Sequence, residues 1–201
     1  VSRALGCTVN DVLMATVAGA LGAWLRAGGF DTTDVVLRAS VPVNLREAEE
    51  AATLGNKFGL LFVELPVGVA NPLQRAYRMH DTMRDLKGSQ QPPLTLTVLG
   101  LLGVMPNLVQ GPAIELFSRK GSLVASNVPG PQAPLYLAGA RMLSWWPVSI
   151  VEHGLGLNVT VESYCGSLDF GIVAAKAAMP DVRKLADALY DAHEELKKIR
   201  G

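Results

Sequence analysis

Cysteine and histidine are scarce in this sequence, which contains two cysteines and three histidines among 201 residues. Cys7 and Cys165 lie in unrelated segments, and the histidines are scattered, so none of these residues shows the close spacing typical of zinc ligands. The sequence therefore predicts no metal and no structural zinc site. Two reduced thiols are typical of a cytoplasmic protein.

An excess of charge of either sign is also lacking, since 18 lysines and arginines balance 18 aspartates and glutamates. A neutral chain has no overall field that would attract nucleic acid or spread the protein over an anionic membrane. We therefore expect no nucleic-acid partner. Internal repeats and low-complexity tracts are absent as well, and this favours a single domain.

Apolar residues are plentiful, because 49% of the chain is hydrophobic, which is ample for the core of one domain. The chain begins Val1-Ser2-Arg3, without an initiator methionine and without a recognisable secretory signal. We expect it to be a piece of a longer protein. A site assembled between two halves of that protein would then be only half represented here.

Two helices are predicted in the first half of the chain from their capping residues. Thr8 followed by Asp11 is a variant of the capping box, and it predicts a buried helix over residues 9–27 that Gly28 ends. Asn71-Pro72 predicts a second helix that continues through residue 87. Its apolar spacing predicts an inner face formed by Leu73, Ala76, Tyr77, His80, Met83 and Leu86.

Five strands and a terminal helix complete the predicted α/β fold, a mixed and largely antiparallel sheet packed with helices. The second strand is almost continuously apolar, with Glu64 as its single charge, and this predicts a place inside the sheet with both faces covered. Gly166-Ser167 predicts a hairpin between the last two strands. The terminal helix starts at Pro180-Asp181 and is expected to pair Glu194 with Lys198. The predicted strands cover residues 35–43, 58–65, 141–149, 156–162 and 168–174.

Residues 94–117 contain a single charge, Glu115, and allow two interpretations. The segment could enter a membrane, or it could form two short packed helices over residues 95–104 and 107–118. The internal prolines and polar residues favour the packed helices, since a spanning helix needs about 20 apolar residues. Shallow contact with a membrane surface stays open under the second interpretation.

The run Ser126-Asn127-Val128-Pro129-Gly130-Pro131 follows a strand-like segment at residues 121–125. Proline fixes φ and glycine permits φ values closed to other residues, so the run predicts a sharp, rigid turn. Such a turn can hold the Ser126 hydroxyl and the Asn127 amide in place for hydrogen bonding to backbone or ligand.

None of the three histidines is predicted to be a catalytic base. His80 lies on the apolar face of its predicted helix and is expected to be a core histidine with its hydrogen bonds satisfied. His193 lies among acidic residues and is expected at the surface, and His153 is expected in a turn. None of the three has an aspartate four residues later.

Four segments, in this order along the chain, resemble one family. They are Asn10-Asp11-Val12-Leu13-Met14-Ala15, Asn56 within Leu54-Gly55-Asn56-Lys57-Phe58, the run from Ser126 to Pro131, and Leu168-Asp169-Phe170-Gly171 before the terminal helix. Together they resemble the C-terminal half of the bacterial wax ester synthase/diacylglycerol acyltransferase family. Met14 stands where that family more often has a smaller or branched aliphatic residue.

The resemblance implies that the whole chain, residues 1–201, is one lobe of a two-lobed fold like that of chloramphenicol acetyltransferase. The other, N-terminal lobe would supply the catalytic histidine from a His-His-x-x-x-Asp-Gly motif. Acyl-CoA and a fatty alcohol or diacylglycerol would meet in a tunnel between the lobes, and no cofactor would be bound permanently. Residues implied at the tunnel or the lobe interface are Asn10, Asp11, Asn56, Ser126, Asn127, Pro129 and Gly130.

Within that set, helix capping and support of the other lobe are the expected roles of Asn10 and Asp11. Ser126 and Asn127 are expected either to bind near the thioester or to shape the interface. The implied location is cytoplasmic, with peripheral contact to the inner membrane or to lipid droplets. Two alternatives stay open: a non-catalytic lipid-binding or interaction module of the same fold, and a condensation-type acyltransferase lobe that acts on carrier-bound acyl groups.

Overall fold

The computed structural model describes residues 1–46, 57–151 and 154–199. Helices and strands are combined in this chain, as the α/β prediction requires. The elements in chain order are α1 (Ser2–Leu5), α2 (Val9–Ala27), β1 (Leu37–Asn44), β2 (Phe58–Leu65), α3 (Pro72–Lys87), α4 (Gln91–Val104), α5 (Asn107–Ser118), β3 (Leu123–Val128), β4 (Tyr136–Leu137), β5 (Ala140–Arg141), β6 (Leu157–Tyr164), β7 (Ser167–Ala174) and α6 (Val182–Lys198).

The main sheet has five strands in the order β2-β1-β3-β6-β7. Its two outer pairings, β1 with β2 and β6 with β7, are antiparallel and eight residues long. The central pairings of β3 with β1 and β6 are parallel, and they cover two and five residue pairs. The sheet is therefore mixed and largely antiparallel, which confirms the predicted fold class.

Strand β2 lies at an edge of the sheet, and the prediction that it lies inside the sheet was wrong. Helix α4 runs along this edge and binds its free backbone groups. The N–H groups of Leu60 and Phe62 donate to Thr95 Oγ1 at 2.7 Å and to Gln91 Oε1 at 3.2 Å. Because α4 occupies these donors, the edge is closed to pairing with another strand along this stretch.

The core lies between one face of the sheet and a layer formed by α2, α3 and α6. Helix α2 is at the centre of this layer and is buried from Asp11 to Gly22. The predicted capping box is confirmed: Asp11 N–H donates to Thr8 Oγ1 at 3.2 Å, and Thr8 N–H donates to Asp11 Oδ2 at 2.8 Å. Gly28 follows the last residue of α2, as predicted.

Helix α3 has the predicted bounds but a different inner face. Its buried residues are Arg75, Ala76, Met79 and Met83, while Tyr77 is 46% exposed. Arg75 donates through Nε to the Ala15 carbonyl of α2 at 3.0 Å and through Nη1 to the Val69 carbonyl at 3.0 Å. An arginine that finds carbonyl partners inside the protein can lie in a core, and apolar spacing alone cannot reveal such partners.

The guanidinium of Arg75 holds the three core helices together. Its Nη2 forms an ion pair with Glu195 of α6 at 3.5 Å. The Arg75 side chain is 2% exposed, and its guanidinium lies against Gly19 of α2. A Cβ at position 19 would come within 2.5 Å of the guanidinium, so glycine leaves the room that the arginine occupies. Burial lowers the pKa of Arg75, and the nearby Glu195 carboxylate opposes that effect.

Two packed helices occupy the region of residues 91–118, which confirms the second interpretation of that segment. Helix α4 begins at Gln91, four residues earlier than predicted, because two prolines fit its first turn. In the part of the chain that the structure describes, no helix combines enough length with enough hydropathy to cross a membrane.

The predicted strand at residues 141–149 was wrong, since only Ala140–Arg141 is a strand and it pairs with Tyr136–Leu137. The following residues run without regular structure across the sheet. Strands β6 and β7 are antiparallel neighbours as predicted, but Cys165 and Gly166 make the turn, with φ of 46° and 85°. Glu194 pairs with Lys197 at 2.7 Å rather than with Lys198.

Candidate functional site

A polar surface covers part of the sheet face opposite the core helices. Side chains alternate along a strand, so Ala125 and Val159 point into the core while Ser126 and Thr160 point to the other side. Ser126 pairs with Thr160 across the parallel strands β3 and β6. We call the set Ser126, Asn158, Thr160, Glu162 and Asp169 the polar face.

Residues 147–150 lie across the polar face and form a cavity with it. Ser149 Oγ is 2.7 Å from Thr160 Oγ1, and Asn158 Nδ2 donates to the Ile150 carbonyl at 2.8 Å. The cavity has a volume of about 470 Å³ and is also lined by Pro42 and Ser126. A cavity of this size, with apolar walls and a few fixed polar groups, is suited to part of a small ligand.

The run from Ser126 to Pro131 begins inside a strand, so the prediction of a turn at Ser126 was wrong. Strand β3 continues through Val128, and the chain leaves the sheet at Pro129. Gly130 N–H donates to Ser163 Oγ at 3.1 Å, and a Cβ at position 130 would overlap the Ser163 carbonyl oxygen. Glycine is therefore required at position 130 because β6 passes so close. Ser126 is half-buried and Asn127 is exposed.

Two carboxylates on the polar face lack hydrogen-bond donors. Glu162 on β6 is directly opposite Asp169 on β7, and side chains in such antiparallel pairs share a face. Within the described residues, Glu162 Oε2 and Asp169 Oδ2 are buried and have no hydrogen-bond partner. Buried acceptors of this kind call for donors from a ligand or from another part of the protein.

Asn10 and Asp11 lie at the other side of the sheet, in the helix layer. Asp11 is only 1% exposed, and its Oδ2 is 2.7 Å from Nδ1 of His80 on α3. His80 therefore has a hydrogen-bond partner, as predicted, although its side chain is 32% exposed. The capping function expected for Asp11 is confirmed by its bond to the Thr8 N–H.

Cys7 lies beside this pair, and the structure gives Cys7, Asp11 and His80 a spatial grouping that the sequence did not reveal. Their potential metal-ligating atoms all lie within 4.8 Å of one another. Burial raises the pKa of the Cys7 thiol, and the carboxylates of Asp11 and Asp81 raise it further. Local spacing could not reveal this grouping, because His80 on α3 and Asp11 on α2 are 69 positions apart in sequence.

The predicted site residues consequently fall into two groups. The cavity on the polar face is lined by Ser126 and includes no residue of α2, so Asn10 and Asp11 do not share it. Pro129 and Gly130 lead out of that face at the carboxyl end of β3. Asn56 and His153 lie outside the described residues.

The remaining histidine, His193, borders a groove between β7 and α6. The groove has a volume of about 460 Å³ and is lined mainly by apolar residues, among them Leu168, Phe170 and Leu189. His193 Nδ1 is buried and without a hydrogen-bond partner in the described part of the chain. Burial lowers the pKa of His193, and Lys197 lowers it further. His193 is half-buried, in agreement with its expected place near the surface.

Comparison with known proteins identifies relatives for the whole chain. The family model described as the WS/DGAT C-terminal domain matches residues 54–197. The probable diacylglycerol O-acyltransferase tgs2 of Mycobacterium tuberculosis is 34% identical over 205 residues, which cover 100% of this chain and 45% of the relative. The chain thus spans less than half the length of the curated relatives that it matches.

Solved structures give the same result at the level of the fold. The wax ester synthase/diacylglycerol acyltransferase from Marinobacter aquaeolei VT8 superposes with a TM-score of 0.75 at 27% identity, covering 100% of this chain and 45% of that chain. The epimerization domain of tyrocidine synthetase B superposes with a TM-score of 0.61 at 15% identity, covering 100% of this chain and 43% of that chain. The latter likeness concerns the fold alone.

Proposed function

Because this chain belongs to the family of the WS/DGAT C-terminal domain, we propose that it is the C-terminal lobe of an acyl-CoA-dependent O-acyltransferase. The reaction would move a long-chain acyl group from acyl-CoA to a fatty alcohol or to diacylglycerol, giving a wax ester or a triacylglycerol. The observation that carries the proposal is the match of the whole chain to 45% of the Marinobacter enzyme. The rest of such an enzyme would form the second lobe.

The catalytic base is assigned to that second lobe. Acyl transfer to a hydroxyl needs a base near the acceptor oxygen and donors for the developing oxyanion. His80 is bound to Asp11, and His193 borders the groove between β7 and α6, so neither described histidine faces the polar face. Acyl-CoA is a substrate in this scheme, and no permanent cofactor takes part.

The polar face supports a role as one wall of the passage between the lobes. It presents hydroxyl and amide groups beside a cavity, together with two carboxylates whose buried oxygens lack donors. The second lobe or the substrate would supply those donors. Ser126, Asn127, Pro129 and Gly130 would line this wall, while Asn10 and Asp11 would support the lobe from the helix layer. Asn56 is assigned to the interface from the family resemblance.

The first experiment compares the full-length protein with the 201-residue chain, using palmitoyl-CoA and either hexadecanol or diacylglycerol. We expect turnover from the full-length protein, none from the 201-residue chain, and recovery when the two halves are expressed together. Turnover by the 201-residue chain alone would contradict the assignment of the base to the other lobe. Preference for an acyl group on a carrier protein over acyl-CoA would favour the condensation-type alternative.

The role of the polar face is tested by Ser126→Ala in the full-length enzyme. Loss of one fixed hydrogen bond that acts near the reacting groups lowers kcat/KM by about tenfold or more. Ser167→Ala, at the exposed first residue of β7, is the matched control and should leave kcat/KM unchanged. Equal kcat/KM values for the two variants would contradict the proposal that Ser126 lines the passage.

Peripheral membrane contact is assigned to α4 and α5. Leu101, Val104, Leu108 and Leu116 are more than half exposed, with Val104 at 82% and Leu108 at 88%. Apolar side chains of this kind can enter the interface of a bilayer or lipid droplet without spanning it. A cytoplasmic enzyme with apolar substrates would gain access to them in this way.

Flotation with phospholipid vesicles and with triacylglycerol droplets tests this contact. We expect the full-length protein to float and a Val104→Glu/Leu108→Glu double variant to lose most of its binding. Tyr190→Glu, on the exposed side of α6, is the control and should float like the wild type. Unchanged flotation of the double variant would contradict the assignment.

A further inference from the structure

We infer that Cys7, Asp11 and His80 form a binding site for a zinc-class divalent cation. The site lies where the turn before α2 meets the middle of α3. It is independent of the proposed acyl transfer, because none of its residues lines the cavity of the polar face. Bound metal would hold the amino end of α2 against α3.

The donor set has the chemistry that Zn²⁺ prefers. Thiolate sulfur, imidazole nitrogen and carboxylate oxygen are its usual ligands, and a tetrahedral site with three protein ligands keeps the fourth position for water. The potential ligand atoms lie within 4.8 Å of one another. Zinc–ligand bonds of about 2.0–2.3 Å place tetrahedral ligands about 3.3–3.8 Å apart, so side-chain movements of about 1 Å complete the geometry.

An unsatisfied atom in the core points to the same conclusion. Asp11 is only 1% exposed, and its Oδ1 has no hydrogen-bond partner within the described residues. Its Oδ2 already accepts from Thr8 N–H and contacts His80. A buried carboxylate oxygen without a donor is rare in proteins, and a cation would satisfy it.

The charges of the complete site balance. On binding, the Cys7 thiol releases its proton to solvent, and the metal binds Nδ1 of the neutral His80 imidazole, whose single proton is then carried by Nε2. One thiolate and one carboxylate then neutralise the two positive charges of the cation.

The test uses tag-free, full-length protein that has been treated with a chelator and then titrated with Co²⁺ and Zn²⁺. We expect one Co²⁺ per chain with a sulfur-to-cobalt charge-transfer band in the near ultraviolet, lost on addition of Zn²⁺. We also expect Zn²⁺ to raise the Tm of the wild type. Cys7→Ser and His80→Gln should each weaken Zn²⁺ binding by at least about tenfold and remove the rise in Tm.

Matched controls use the other described residues of the same types. Cys165→Ser and His193→Gln should bind Zn²⁺ as the wild type does, because neither residue belongs to the group of ligand atoms formed by Cys7, Asp11 and His80. The inference is overturned if chelator-treated wild type takes up no stoichiometric metal. It is also overturned if Cys7→Ser and His80→Gln, while retaining a wild-type circular dichroism spectrum, bind Zn²⁺ as tightly as the controls.

Discussion

The two faces of the main sheet differ in what their buried charged groups contact. On the helix side, Arg75 contacts three carbonyl oxygens and Glu195, and Asp11 Oδ2 receives two hydrogen bonds, although Asp11 Oδ1 and Arg75 Nη2 have no hydrogen-bond partner within the described residues. On the other side, the carboxylates of Glu162 and Asp169 lie opposite each other, and each keeps a buried oxygen without a donor. The helix side thus ties its buried charges to other groups of this chain, while the polar face leaves acceptors for the groups that the proposed second lobe or substrate would bring.

The largest effect is expected on the helix side, from Arg75→Ala. Removing a buried guanidinium leaves the Val69 and Ala70 carbonyls without their donor and opens a cavity beside Gly19. We expect the free energy of unfolding to fall by about 3 kcal/mol. Chemical denaturation measures this loss. Arg78→Ala, exposed on the same helix, is the control and should change stability by less than about 0.5 kcal/mol.

A smaller effect with the opposite sign is expected on the polar face, from Glu162→Gln. Like charges directly opposite each other in a sheet are unfavourable, and a glutamine amide can donate to Asp169. We expect the free energy of unfolding to rise by about 0.5 kcal/mol while turnover of the full-length enzyme falls. A loss of stability would show that Glu162 serves the fold rather than the passage.

The control for that variant is Glu64→Gln on β2. Glu64 forms an exposed ion pair with Arg38 at 2.8 Å, so its neutralisation should lower stability by no more than about 1 kcal/mol. A rise in the free energy of unfolding for Glu162→Gln and a fall for Glu64→Gln, measured by the same chemical denaturation, would separate a carboxylate without a donor from one that has an ion-pair partner.

The smallest effect concerns the pH dependence of stability and His193, which borders the groove between β7 and α6. Burial lowers the pKa of His193 in the folded chain below its ordinary 6.5. The unfolded chain therefore binds a proton more readily as the pH falls through 6.5, and folding loses stability below that value. We expect His193→Gln to reduce the drop in Tm between pH 7.5 and pH 5.5 by about 1 °C. An identical drop in both proteins would contradict this role.

Local sequence signals predicted the helices of this fold well. Thr8 with Asp11 and Asn71-Pro72 each marked a helix start, because caps act within a few residues of the chain. The position of a strand within the sheet was harder to predict than its existence, because position depends on distant partners. Residues 58–65 were correctly predicted as a strand, but α4 covers its free edge through Gln91 and Thr95, which lie about 30 positions later. Apolar strand content alone cannot separate an edge strand from a central one.

The sites were harder to predict, because each depends on residues that are distant in sequence. The resemblance identified Ser126 and Gly130, but the reason for glycine is the backbone of Ser163, 33 positions later. The grouping of Cys7, Asp11 and His80 requires the packing of α3 on α2, which no local spacing encodes. The only local sign of the buried Arg75 is Gly19, a small residue in the middle of α2 that leaves room for the guanidinium.

The hydrogen bonds from β2 to Thr95 and Gln91 limit how far α4 can move when α4 and α5 bind a lipid surface. If α4 were to swing outward into a bilayer, Leu60 and Phe62 would lose their acceptors and an unpaired strand would face solvent. Docking by α4 and α5 is therefore expected to occur as a rigid platform, with the outer side chains entering the lipid and the helix axes staying in place. A protein anchored in this manner would hold its sheet at a fixed height above the membrane surface.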